Sequence, residues 1–112
     1  MRIYCLSKDA VTESFPFDEW ALVFKVGSKL FAITNVDSGK TVNLKNTPEE
    51  NIRLREHYQG IEPGYHMNKK HWNTVDIQSD VPDGLLKEMI DTSYELVKNA
   101  LTKKERSALN LL

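Results

Sequence analysis

The chain lacks the features that force a covalently stapled or membrane-bound architecture. It has one cysteine, Cys5, so no intrachain disulfide can form and a thiolate zinc cage is excluded. A buried thiol in a reducing cytoplasm is the expectation. No apolar run approaches the roughly 18 residues of a membrane span. The N-terminus has no charged-then-apolar secretion signal. Charge of one sign is missing as well: 15 Lys and Arg against 16 Asp and Glu leave a net charge of −1. Strong phosphate binders are usually more basic, so any nucleic-acid role must rest on a local patch. There is no phosphate-cradling glycine loop, paired-carboxylate motif or hydrolase elbow. No catalytic residue and no cofactor is therefore expected.

Residues 1–112 make one domain, large enough to bury roughly two-thirds of its unfolded surface. Ile3 and Leu6 suggest a short opening helix to about Lys8. Ser14-Phe15-Pro16-Phe17 reads as extended, because Pro16 biases its predecessor out of the helical region. Gly27-Ser28 suits a tight hairpin turn. That turn pairs Val26 with Lys29, Phe24 with Phe31 and Leu22 with Ile33 on a buried face. Val23, Lys25, Leu30, Ala32 and Thr34 then lie on the other face. After the Asp37–Lys40 turn, Leu44 should meet Ile33, with Asn43 and Lys45 pointing outward.

Thr47-Pro48-Glu49-Glu50 is a helix start with a hydroxyl cap and proline at the first position; that helix should reach about Tyr58. Ile61–His66 is expected to be extended and Trp72–Ile77 to form a strand, with Val75 and Ile77 on one face and Trp72, Thr74 and Asp76 on the other. A long helix from about Pro82 carries Leu86, Met89, Ile90, Val97 and Leu101 in one stripe. Thr102-Lys103-Lys104-Glu105 caps a last short helix. The order predicts an α+β sandwich: an antiparallel sheet of about five strands with helices packed on one face.

The densest potential chemistry lies in Gly64–Ile77. Lys69 and Lys70 offer phosphate-seeking charge and Trp72 a stacking plane. If Val75 faces the core, Trp72 joins Lys25, Asn43 and Lys45 on the open face. The alternative is that Trp72 caps the core and the lysines are simply solvated. Asn68 and Asn73 can read bases or close turns. His66 and His71 have odd spacing and lysine neighbours, which argues against a metal site. Arg53 is placed to pair with Glu50, Glu49 or Glu56. Lys98, Lys103, Lys104 and Arg106 form a second basic cluster at the helix ends.

These segments together resemble the MmcQ/YjbR family, whose fold is similar to that of CyaY. The resemblance rests on Val11–Phe17, Val42–Lys45, the signature Gly64–Val75 and Asp91–Val97, and spans nearly the whole chain. Two departures stand out. Lys8-Asp9-Ala10 occupies the place of a usual Pro-Gly turn, and Gly84 weakens the first turn of the long helix by ~1 kcal/mol.

The family is catalogued as DNA-binding with two β-hairpin wings. The resemblance therefore implies DNA binding; with the Lys69-Lys70-His71-Trp72 run and the near-neutral charge, the expectation is low-affinity, largely sequence-independent binding by a monomer or weak dimer. Its surface would comprise Lys25, Lys45, His66, Asn68, Lys69, Lys70, His71, Trp72 and Asn73. The alternative is a protein-interaction module of chaperone or adaptor type. An iron binder like frataxin is disfavoured because Asp9 is the sole acidic residue in Met1–Ala10. No residue constellation supports an enzyme.

Overall fold

A computed structural model describes residues 1–112. The elements run α1 (Arg2–Leu6), β1 (Val11–Ser14), β2 (Ala21–Val26), β3 (Lys29–Asn35), β4 (Thr41–Lys45), α2 (Pro48–His57), β5 (Ile61–Pro63), β6 (Trp72–Asp76), α3 (Asp83–Ala100) and α4 (Lys103–Ala108). All strands join one antiparallel sheet in the order β1-β2-β3-β4-β6-β5. The α+β class is as expected, with six strands in place of about five.

Local chemistry explains most boundaries. Thr47 accepts a hydrogen bond from the Glu50 N–H to cap α2, and Thr102 does the same from Glu105 for α4. The α3 stripe is buried as expected at Leu86, Met89, Ile90 and Val97, with Ser93 and Tyr94 added to it. Gly27 turns the β2–β3 hairpin at φ +56°, a left-handed value that glycine adopts without strain. Ala10, in the segment where the resemblance expects Pro-Gly, takes φ +60°, an uncommon conformation for a residue with a Cβ.

One core lies between the sheet and its helices. Leu22, Phe24, Val26, Ala32, Val42, Leu44 and Val75 meet Leu86, Ile90, Tyr94 and Val97 of α3, Leu54 of α2 and Cys5 of α1. Burial pushes the Cys5 thiol up to about 11, which leaves it protonated and inert. Tyr4 and Lys8 both bond the Asp91 carboxylate at 2.6 Å and so pin α1 to α3. Burial alone would raise the Asp91 carboxyl, but these bonds outweigh it and hold it below the usual range.

The hairpin register differs from the sequence expectation after its first pair. Val26 does face Lys29, but Phe24 pairs with Ala32 and Leu22 with Thr34. Lys25 pairs with Leu30, so Phe31 is an extra residue, a β-bulge. The bulge turns Ala32 and Thr34 toward the helices and Ile33 toward the other face. Leu44 is buried as expected, yet its partner is Ala32, and Ile33 faces Asn43.

The bulge is secured by Ser93. Its hydroxyl donates to the Phe31 carbonyl at 2.6 Å and accepts from the Lys45 N–H at 2.9 Å. The Phe31 ring meets Tyr94 edge-on at 5.4 Å. Ser93→Ala should destabilise the fold by about 2–4 kcal/mol in urea denaturation, because the buried Phe31 carbonyl loses its partner at roughly 1–3 kcal/mol and the part-buried Lys45 N–H loses its own at about 1 kcal/mol. A loss within about 0.5 kcal/mol, the range of a surface change, would show that this bridge is dispensable.

Candidate functional site

The sheet face away from the helices carries the side chains of Val23, which is fully buried there, and of Lys25, Ile33, Asn43, Lys45, Glu62, Trp72 and Thr74, by strand alternation from the core set. The segment Gly64–Met67 folds toward this face. Gly64 permits the close approach: its N–H donates to the Trp72 carbonyl at 2.9 Å, and a Cβ there would lie 2.8 Å from the Trp72 Cβ. A closed polar network then fixes Tyr65. Its N–H donates to Thr74 Oγ1 at 2.9 Å and its carbonyl accepts from Asn43 Nδ2 at 3.2 Å. Thr74 Oγ1 donates to Asn43 Oδ1 at 2.6 Å.

The rest of the signature is anchored to α2. Arg55 Nε donates to Asn73 Oδ1 at 2.6 Å, and its guanidinium also reaches the carbonyls of Lys69 and Trp72. Asn51 Nδ2 donates to the Lys70 carbonyl at 2.9 Å, and Asn73 Nδ2 donates to the Asn51 carbonyl at 3.4 Å. Asn68 Oδ1 accepts from the N–H groups of Lys70 and His71 and closes the turn before β6.

These contacts sort the sequence-derived residues. Asn73 is 3% exposed, on the helix side of the sheet, so it is a tie to α2 and cannot touch a ligand. Asn68 is exposed, but its amide oxygen is committed to the turn. Trp72 is half-buried on the open face and stands cross-strand from Lys45. β2 and β4 are both antiparallel to β3, so Lys25 and Lys45, near their C-terminal ends, share one end of the sheet. Lys70 is exposed; Lys69 Nζ donates to the Gly64 carbonyl at 3.2 Å. His71 is half-buried. His66, at φ +58°, is exposed with its ring 4.0 Å from that of Tyr65, away from the lysine end. No three metal-ligating side chains come together in the chain.

The other end of the face holds what sequence reasoning missed. A groove of about 640 Å³ runs between the Phe17–Trp20 loop and the Tyr65–Met67 segment, floored by Ile33, Asn43 and Thr74. Phe17 is 68% exposed, Trp20 51% and Tyr65 70%. Asp18 and Glu62 line the groove, and no lysine or arginine does. Asp18 Oδ1 accepts from the N–H groups of Trp20 and Ala21, which fixes the loop. Aromatics beside Pro16 were the available signal, but a loop has no periodicity to show which way they point.

A sheet covered by helices on one side, with lysine and indole paired at one end of its other face and an aromatic groove at the opposite end, defines a domain of the α+β sandwich class. The chain belongs to the YjbR family, whose model matches residues 6–96. It is 34% identical over 107 residues to a protein described as uncharacterised, YjbR of Escherichia coli K12, covering 95% of this chain and 91% of that one. YbdF of Escherichia coli O157:H7, described likewise, is 37% identical over 93 residues, 82% of this chain and 76% of that one. Among solved structures, Deinococcus radiodurans protein DR2400, with a DUF419 domain, superposes with a TM-score of 0.91 at 42% identity, over 99% of this chain and 86% of that one. A Pseudomonas syringae protein gives a TM-score of 0.72 at 27% identity, over 85% and 93%.

Because Arg55 and Asn73 serve one anchor, their losses should not add. Arg55→Met and Asn73→Ala should each cost about 1–3 kcal/mol, and the double variant clearly less than the sum. Additive losses in denaturant titrations would show that the two act independently.

Proposed function

We propose that this protein is a non-catalytic module that binds single-stranded DNA weakly and without sequence preference, at the lysine end of its open face. The observation that carries the reading is the Lys45–Trp72 cross-strand pair on a face no helix covers. An indole in that position offers a base a stacking plane, and Lys25, Lys45 and Lys70 supply charge for the flanking phosphates. A net charge of −1 keeps affinity low. The setting is the cytoplasm and the working form a monomer or weak dimer; no helix of the chain is long and apolar enough to cross a membrane.

A second reading, a protein-interaction module, draws on the exposed Phe15, Phe17 and Tyr65. Salt separates the two, since an aromatic contact tolerates it and a phosphate contact does not.

Fluorescence anisotropy with a short labelled oligothymidylate tests the first. With about three phosphates neutralised, log affinity should fall against log salt with a slope of roughly −2. Lys45→Glu and Lys70→Glu should each weaken binding about tenfold, and Trp72→Leu should cost about 1–3 kcal/mol. Affinity indifferent to salt and to all three changes would overturn the assignment.

A further inference from the structure

We infer that the groove at the far end of the open face is a second, separate site, which takes a small alkylated ammonium cation. This goes beyond the DNA reading and does not depend on it.

Hydrogen-bonding capacity and charge select the ligand. The polar floor is largely spoken for: Asn43, Thr74 and the Tyr65 backbone bond one another, and Thr34 Oγ1 donates to the Thr41 carbonyl at 2.7 Å. Asn35 Oδ1 accepts from the N–H groups of Asp37 and Ser38. What remains for a ligand is the Glu62 carboxylate, the second oxygen of Asp18, the His66 imidazole, the Thr41 hydroxyl, the Asn35 amide NH2, the Trp20 indole N–H and the faces of Phe17, Trp20 and Tyr65. The charged groups among them are carboxylates, with no lysine or arginine among the lining residues.

An anion such as phosphate meets two carboxylates there and no fixed cation. A cation meets both kinds of attraction, the carboxylate charge and the negative faces of the rings. Alkyl groups on the nitrogen suit the groove because the Ile33 floor and the aromatic rim offer apolar contact and few free hydrogen-bond acceptors. A volume of about 640 Å³ is that of a small-molecule site rather than of an extended macromolecular footprint.

Choline chloride titrated into the full chain tests this, followed by amide shifts. The uncharged shape match 3,3-dimethyl-1-butanol serves as control. Choline should give saturable shifts at Trp20, Asn43, Tyr65 and His66, and the alcohol should bind at least about fivefold more weakly. Glu62→Gln, an exposed change with no hydrogen bond to lose, should weaken choline by a similar factor without altering the fold. Trp20→Leu should do so independently of the carboxylate.

Equal affinity for choline and the alcohol would overturn the inference and mark the groove as merely apolar. So would the absence of saturable shifts, or a Glu62→Gln variant that binds choline unchanged. A trimethyl-lysine peptide that binds a hundredfold more tightly than choline would overturn the small-molecule assignment. None of these outcomes bears on oligothymidylate binding at the lysine end.

Discussion

One buried hydroxyl sits where the sheet is interrupted. At the Phe31 bulge Ser93 Oγ stands between the β3 carbonyl of Phe31 and the β4 N–H of Lys45, as donor to one and acceptor from the other. Serine is among the few small side chains able to do both at once. Because Ser93 belongs to the α3 stripe, the same contact registers the long helix against the sheet, and the Phe31 ring packs on Tyr94 one residue further along. The alternation downstream of the bulge follows from this point. Ala32 and Thr34 turn to the helices, and Ile33 turns out to become the floor of the groove.

The second constraint is one-sided coverage. Every helix residue of the core faces the same side of the sheet, which leaves the other side to be shaped by loops. Three loop segments do so, with two opposite chemistries. The turn before β6, anchored by Arg55 and Asn51, exposes Lys70 and leads into Trp72, which stands cross-strand from Lys45. The Phe17–Trp20 and Tyr65–Met67 segments present rings and carboxylates. The chain's near-zero net charge thus conceals a face that is cationic at one end and acidic-aromatic at the other. The whole-molecule balance carries little information about recognition here.

Much of the frame was legible because it rests on local rules. The Thr47 and Thr102 caps, the Gly27-Ser28 turn and the α3 stripe each follow from a few neighbouring residues. The register of β3 was not legible. Leu30-Phe31-Ala32-Ile33 is a continuous apolar run in which either alternation looks satisfactory, and the bulge is decided by Ser93, distant in sequence. β1 was missed as a strand because Val11-Thr12-Glu13-Ser14 has little apolar content. Asn73 is a different case. Its parity with Val75 already placed it on the helix side, but an amide within a polar signature invites a functional reading, and Arg55, the partner that satisfies it, lies on α2.

We propose that this protein meets nucleic acid at the lysine end of its open face. An amide-resolved shift map during titration with oligothymidylate at low salt decides the matter. Perturbation should centre on Lys25, Lys45 and Lys70–Trp72. Shifts centred on Lys98, Lys103, Lys104 and Arg106, or spread evenly over the helices, would contradict it.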